Sequence, residues 1–166
     1  MMINQPCYRS PVLMLLLLLH ISIGVYAQDK KQHVLQHKPL MNDVWKTFDM
    51  LLYKVEKSKG QTKYIPYFPQ ALKALEGKHV TIRGYMVPLT TGRKHNRFLL
   101  SVLPIFQCMF CGQDGIPAMV EVQILHGQKL AFSKRPLEVI GTVAFNGSDQ
   151  NHTEIILRHA TAKPID

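Results

Sequence analysis

Cys108 and Cys111 stand three positions apart in a short glycine-bearing segment, and two thiols at that spacing meet readily. Once together they can ligate a soft metal, cycle as a redox pair, or close a disulfide that stiffens the loop. Each role makes a further demand on the chain. Zinc needs four ligands, mostly Cys and His, yet there is no second Cys-x-x-Cys, and the one His-x-x-x-His, His33 to His37, lies in the polar leader. His79, His95, His126, His152 and His159 are the candidates to complete a site. His126 and His95 are the first choices, because each lies in a turn that a barrel would bring toward the loop. Copper(I) would accept two thiolates with a methionine such as Met109 or Met119. Zinc or copper is thus the cofactor class this motif admits. A thioredoxin-like pair would sit at a helix N-terminus, but Gly112, Gly115 and Pro117 follow here, so no helix begins. A Cys108–Cys111 disulfide is the alternative that suits an oxidising compartment.

Other chemistry is thinner. The carboxylates are scattered, and Glu121 and Glu138 are expected to point outward from strands, so no two are set for paired acid–base work. No Gly-x-Ser-x-Gly, phosphate loop or dinucleotide fingerprint occurs. A binding role is favoured over an enzymatic one. Tyr64, Tyr67 and Phe68 form the candidate binding surface, an aromatic platform of the kind that stacks on ligands. Interleaved with Ile65, Pro66 and Pro69, they equally suit the cover of a barrel end.

The ends and the charge set the compartment. Arg9 precedes an apolar run from Val12 to Val25, and Val25-Tyr26-Ala27 supplies a small-residue cut site before Gln28. That is the three-part pattern of a secretory signal over residues 1–27. The run is broken by His20 and Ser22, so it falls short of the roughly 20 apolar residues a membrane helix needs. Cys7 leaves with the signal. The expected product is exported, periplasmic or secreted, with no membrane span in the mature chain. Twenty basic against 11 acidic residues give a net charge of +9 at pH 7, which favours anionic partners. Export disfavours nucleic acid, and the charge is spread without a basic tail. The partner class is an envelope component or a small ligand.

The elements that must position these groups follow from periodicity. Residues 28–41 are polar and read as a flexible leader. Asn42 caps a helix, and Val44, Trp45, Phe48, Leu51, Leu52 and Val55 recur at helical spacing, with Lys57, Lys59 and Gly60 as the stop. A second, shorter helix starts at Pro69 and ends at Gly77. Residues 42–77 are therefore expected as a helical extension. From Lys78 the period changes to alternation, with strands at 79–87, 97–103, 118–125, 137–145 and 153–162, and the cysteine loop at 104–117. Gly84 and Gly141 lie inside the first and fourth strands, where glycine permits a sharp bend. The predicted class is mainly β, a five-stranded OB-like barrel over 78–166 with the N-terminal helical extension; a β-sandwich fragment is the alternative.

The run Ala74-Leu75-Glu76-Gly77-Lys78-His79-Val80-Thr81-Ile82-Arg83-Gly84-Tyr85-Met86-Val87-Pro88-Leu89, the upstream Trp45, and Cys108-Met109-Phe110-Cys111-Gly112 before Glu121-Val122 carry a resemblance. Together they resemble a group of exported bacterial OB-fold-like proteins, a domain of unknown function, over residues 43–163. Some of that group carry an acidic residue where this chain has Ile116-Pro117-Ala118, so no carboxylate ligand carries over. The resemblance implies a fold and a compartment. Function rests on the site. The expectation is an envelope binding or accessory protein, metal-binding through the Cys-x-x-Cys loop. The rivals are a thiol–disulfide redox protein and an oligosaccharide or oligonucleotide binder on the barrel face.

Overall fold

The computed structural model describes residues 38–58, 60–104 and 118–165. The signal segment, most of the leader, and Cys108 and Cys111 lie outside the described residues. Five strands close into a barrel: β3 (His79–Pro88), β5 (Arg97–Ser101), β6 (Met119–Ile124), β8 (Leu137–Phe145) and β9 (Ile155–Pro164), in the order β3-β5-β6-β9-β8. The β6–β9 pair is parallel and the rest are antiparallel. This is the OB-like barrel expected from the alternation, and closure excludes an open sandwich fragment. The predicted strand bounds agree with the observed ones to within about two residues, the usual scatter at element ends.

The core follows the period-2 pattern. Val80 and Ile82 of β3, Phe98 and Leu100 of β5, Val120 and Val122 of β6, Leu137 and Val139 of β8, and Leu157 of β9 point inward and are buried. One end is closed by α1 (Asp43–Phe48) and α2 (Gln70–Lys73), which bury Trp45, Phe48 and Leu72. Asn42 is the cap the sequence suggests: its side-chain oxygen accepts from the Trp45 amide at 2.9 Å. Trp45 Nε1 donates to the Arg83 carbonyl at 2.8 Å, which fixes α1 on β3. Phe68 packs on Phe145 with ring centroids 4.8 Å apart.

The helical extension is shorter than expected and needs correction. The first helix ends at Phe48, and Leu52 and Val55, expected on its buried stripe, are exposed. The chain instead forms a hairpin, β1 (Leu52–Ser58) against β2 (Gln61–Tyr67). Gly60, expected as a helix stop, has φ +77° and turns the hairpin. Tyr53, Val55, Thr62, Tyr64, Ile65 and Tyr67 are β-branched or aromatic and favour strands. A two-stranded minor sheet pairs β4 (Lys94–His95) with β7 (Leu130–Ala131). Among the described residues no helix is long and apolar enough to cross a membrane.

Candidate functional site

The buried polar centre is Glu121. Its neighbours Val120 and Val122 enter the core, so Glu121 points out of the barrel as expected, yet its side chain is only 1 % exposed. Arg97 of β5 and the connection from β8 to β9 cover it. Oε1 accepts from Arg97 Nε at 2.7 Å, Gln123 Nε2 at 2.8 Å and His152 Nδ1 at 2.8 Å. Oε2 accepts from Arg97 Nη2 at 3.2 Å and the Thr153 amide at 3.2 Å. Acceptance from His152 requires the tautomer, or the cation, that carries a proton on Nδ1. Burial pushes the Glu121 pKa up, but the hydrogen bonds from Gln123, Arg97, His152 and the Thr153 amide overrule it and hold the carboxyl below its ordinary value. Arg97 Nη2 also donates to the Asn151 carbonyl. A charged carboxylate on the outer wall thus anchors the β8–β9 connection.

That connection is laced internally as well. Asn146 Nδ2 donates to the carbonyls of Asp149 at 2.6 Å and His152 at 3.2 Å, while Oδ1 accepts from the Asp149 amide at 2.9 Å. Asp149 accepts from the Asn151 backbone amide at 2.9 Å, the main reason its carboxyl is held below the usual range. A loop so cross-linked is a firm wall. Facing it stands β2, and between them runs an open groove of about 560 Å³. Thr62, Lys63, Tyr64 and Pro66 line one side; Asn146, Asp149, Gln150, His152 and Glu154 line the other. Tyr53 donates to the Glu154 carboxylate, and its phenol is pushed up to about 12 by packing and by that hydrogen bond.

The lining residues divide by what they already do. Asn146, Asp149 and His152 are engaged in shaping the loop. Lys63, Tyr64 and Gln150 keep their polar groups for a ligand, and Tyr64, 67 % exposed, is the most open large hydrophobic residue of the hairpin. No known protein family, curated protein or solved structure matches this chain. The groove must therefore be read from its own chemistry.

The residues singled out in the sequence fall in separate places. Tyr64 and Tyr67 are exposed on β2, whereas Phe68 is partly buried against the core. His95 is buried in the minor sheet, and neither ring nitrogen has a hydrogen-bond partner among the described residues. His126 is exposed just after β6. Both histidines lie at the Arg97–Gln123 end of the β5–β6 ladder, as the Ile124-to-Asn96 backbone bond shows. The cysteine segment leaves from the other end, after Ser101 and before Met119. His79 and His159 are exposed on the barrel exterior, and His152 serves Glu121. Among the described residues no three His, Cys, Asp or Glu side chains are grouped to hold a metal.

Glu121 is not legible as a site in the sequence, and of the groove only Tyr64, one residue of the expected aromatic platform, is. Glu121 looks like any outward strand residue, because its partners Arg97 and His152 are 24 and 31 positions away. The Asn146-Gly147-Ser148-Asp149 turn is visible there, but not the groove it borders.

Proposed function

We propose that this chain is an exported cell-envelope protein, periplasmic or secreted, that binds an oligosaccharide in the groove between β2 and the β8–β9 connection. The observation that carries this reading is the pairing of an open tyrosine face with uncommitted amide and ammonium groups across a firm wall. A sugar ring offers C–H faces to an aromatic plane and hydroxyls to Gln150, Lys63 and Glu154. The volume, about 560 Å³, lies within the range of ligand sites. OB-like barrels commonly take oligosaccharides or oligonucleotides near the loop between their last two strands, and the β8–β9 connection is that loop here.

Titration with a soluble chito-oligosaccharide, and in parallel with a short single-stranded DNA, tests the reading. The saccharide is expected to saturate with little salt dependence, and Tyr64→Ala to weaken it roughly tenfold, the loss of one stacked ring. DNA binding that falls steeply with salt, or saccharide binding unchanged in Tyr64→Ala, would reject it.

Cys108 and Cys111 support a second reading. Two thiols at this spacing close readily into a disulfide, and export supplies the oxidising compartment. Thiol titration with elemental analysis of the exported chain is expected to find two blocked thiols that reappear on reduction, with no bound metal. Near-stoichiometric zinc or copper lost in Cys108→Ser would make the loop a metal site instead.

A further inference from the structure

The hairpin has an edge that matches itself. Ser58 opposes Gln61 across a two-residue connection, so those two residues exchange both backbone hydrogen bonds. By alternation the inward-bonded residues of β1 are Ser58, Glu56, Lys54 and Leu52, and the N–H and C=O groups of Tyr53, Val55 and Lys57 face away from β2. These outward groups make no hydrogen bond to another backbone group among the described residues. The β2 edge differs: Pro66 is one of its outward positions and offers no N–H. One edge is blunted and the other is open.

We propose that the open β1 edge pairs with the β1 edge of a second copy of this chain. An antiparallel two-fold pairing centred on Val55 sets Val55 opposite Val55, Tyr53 opposite Lys57 and Leu52 opposite Ser58. Each outward-facing residue then meets an outward-facing residue, so the main-chain bonds close on both strands. The same register sets Lys54 opposite Glu56, once on each side of the two-fold axis. The charges are thus complementary in the one register that centres on Val55. The self-complementary patch is what a two-fold dimer requires. The hairpin also needs company: among the described residues its strands pair with each other alone, an arrangement marginal in water, and it exposes Leu52, Tyr53, Val55, Tyr64, Ile65 and Tyr67. Pairing at this edge does not depend on what the groove binds.

Sedimentation of the exported chain across a concentration series, with reductant present so that no thiol can link two copies, tests it. A reversible monomer–dimer equilibrium is expected. Lys54→Glu alone places Glu opposite Glu twice and should weaken the dimer roughly tenfold. The double swap Lys54→Glu with Glu56→Lys should restore it. Both variants leave the outward main-chain groups and the barrel untouched, so circular dichroism should match the parent. A chain that stays monomeric throughout, or a Lys54→Glu variant that dimerises as well as the parent, overturns the proposal.

Discussion

Glu121→Gln is expected to lower stability by about 3 kcal/mol and the melting temperature by roughly 10 °C. The substitution keeps shape and volume, so packing is not the cause. The new amide presents N–H groups where only an acceptor fits, against Arg97, Gln123, His152 or the Thr153 amide. It also strips Arg97 of its counter-charge. Arg97 is itself 38 % exposed, so water recovers part of that loss and the figure sits at the low end for a broken buried pair. The effect carries a pH signature. The folded-state pKa of Glu121 lies below its ordinary value, so its contribution is complete above the unfolded carboxylate range, about 4.3, and is lost as pH falls through the folded value. Thermal melts of parent and variant should differ most near neutrality and converge in acid. A variant as stable as the parent at neutral pH would mean that the carboxylate does not hold the β8–β9 connection.

The same variant separates the wall of the groove from its contacts. Tyr64 and Gln150 touch a ligand directly in the proposed reading, whereas Glu121 lies beneath the loop that carries His152 and Thr153. The loop is held from below by the carboxylate and from within by Asn146. Loosening the lower attachment should raise the mobility of the connection while leaving the barrel strands paired.

What is legible in the sequence depends on how local each signal is. The barrel strands announce themselves because the alternation of Val80 with Ile82, Val120 with Val122, and Leu137 with Val139 is written within a few residues. Residues 51–67 mislead because Trp45, Phe48, Leu51, Leu52 and Val55 fit a helical stripe, and short apolar patterns admit both periods. Lys59-Gly60 between Tyr53-x-Val55 and Thr62-x-Tyr64 is the available hairpin signal, but the same two residues also suit a helix stop. Glu121 cannot be found from its surroundings in the chain, since closure alone brings Arg97 and His152 to it. The burial of His95 is likewise hidden, because two-residue strands such as β4 and β7 do not advertise themselves.

Gly84→Ala is the other large effect, expected to cost about 3 kcal/mol or to prevent folding. β3 changes partners at this point: residues 79–84 pair with β8, and residues 85–88 pair with β5. Lacking a side chain, Gly84 lets the strand turn that corner with β5 lying directly against it. A Cβ there would come within 2.7 Å of Leu100 Cγ and 2.7 Å of the Ser101 carbonyl oxygen. Leu100 is fully buried and cannot swing aside, and Ser101 is held in the ladder opposite Tyr85. The backbone at Gly84 is not in the left-handed region, so the penalty is one of space and not of torsion. Gly147→Ala is the matched control: nothing lies within 4 Å of its added Cβ, and the change should stay within about 0.5 kcal/mol. Denaturant melts of the two variants measure the difference. Adding Leu100→Ala to Gly84→Ala removes the side-chain clash but leaves the carbonyl in place, so it should not restore the parent's stability. Equal stability of the two single variants would show that β3 and β5 are not in close contact at the corner, and the closure of the barrel would fail with it.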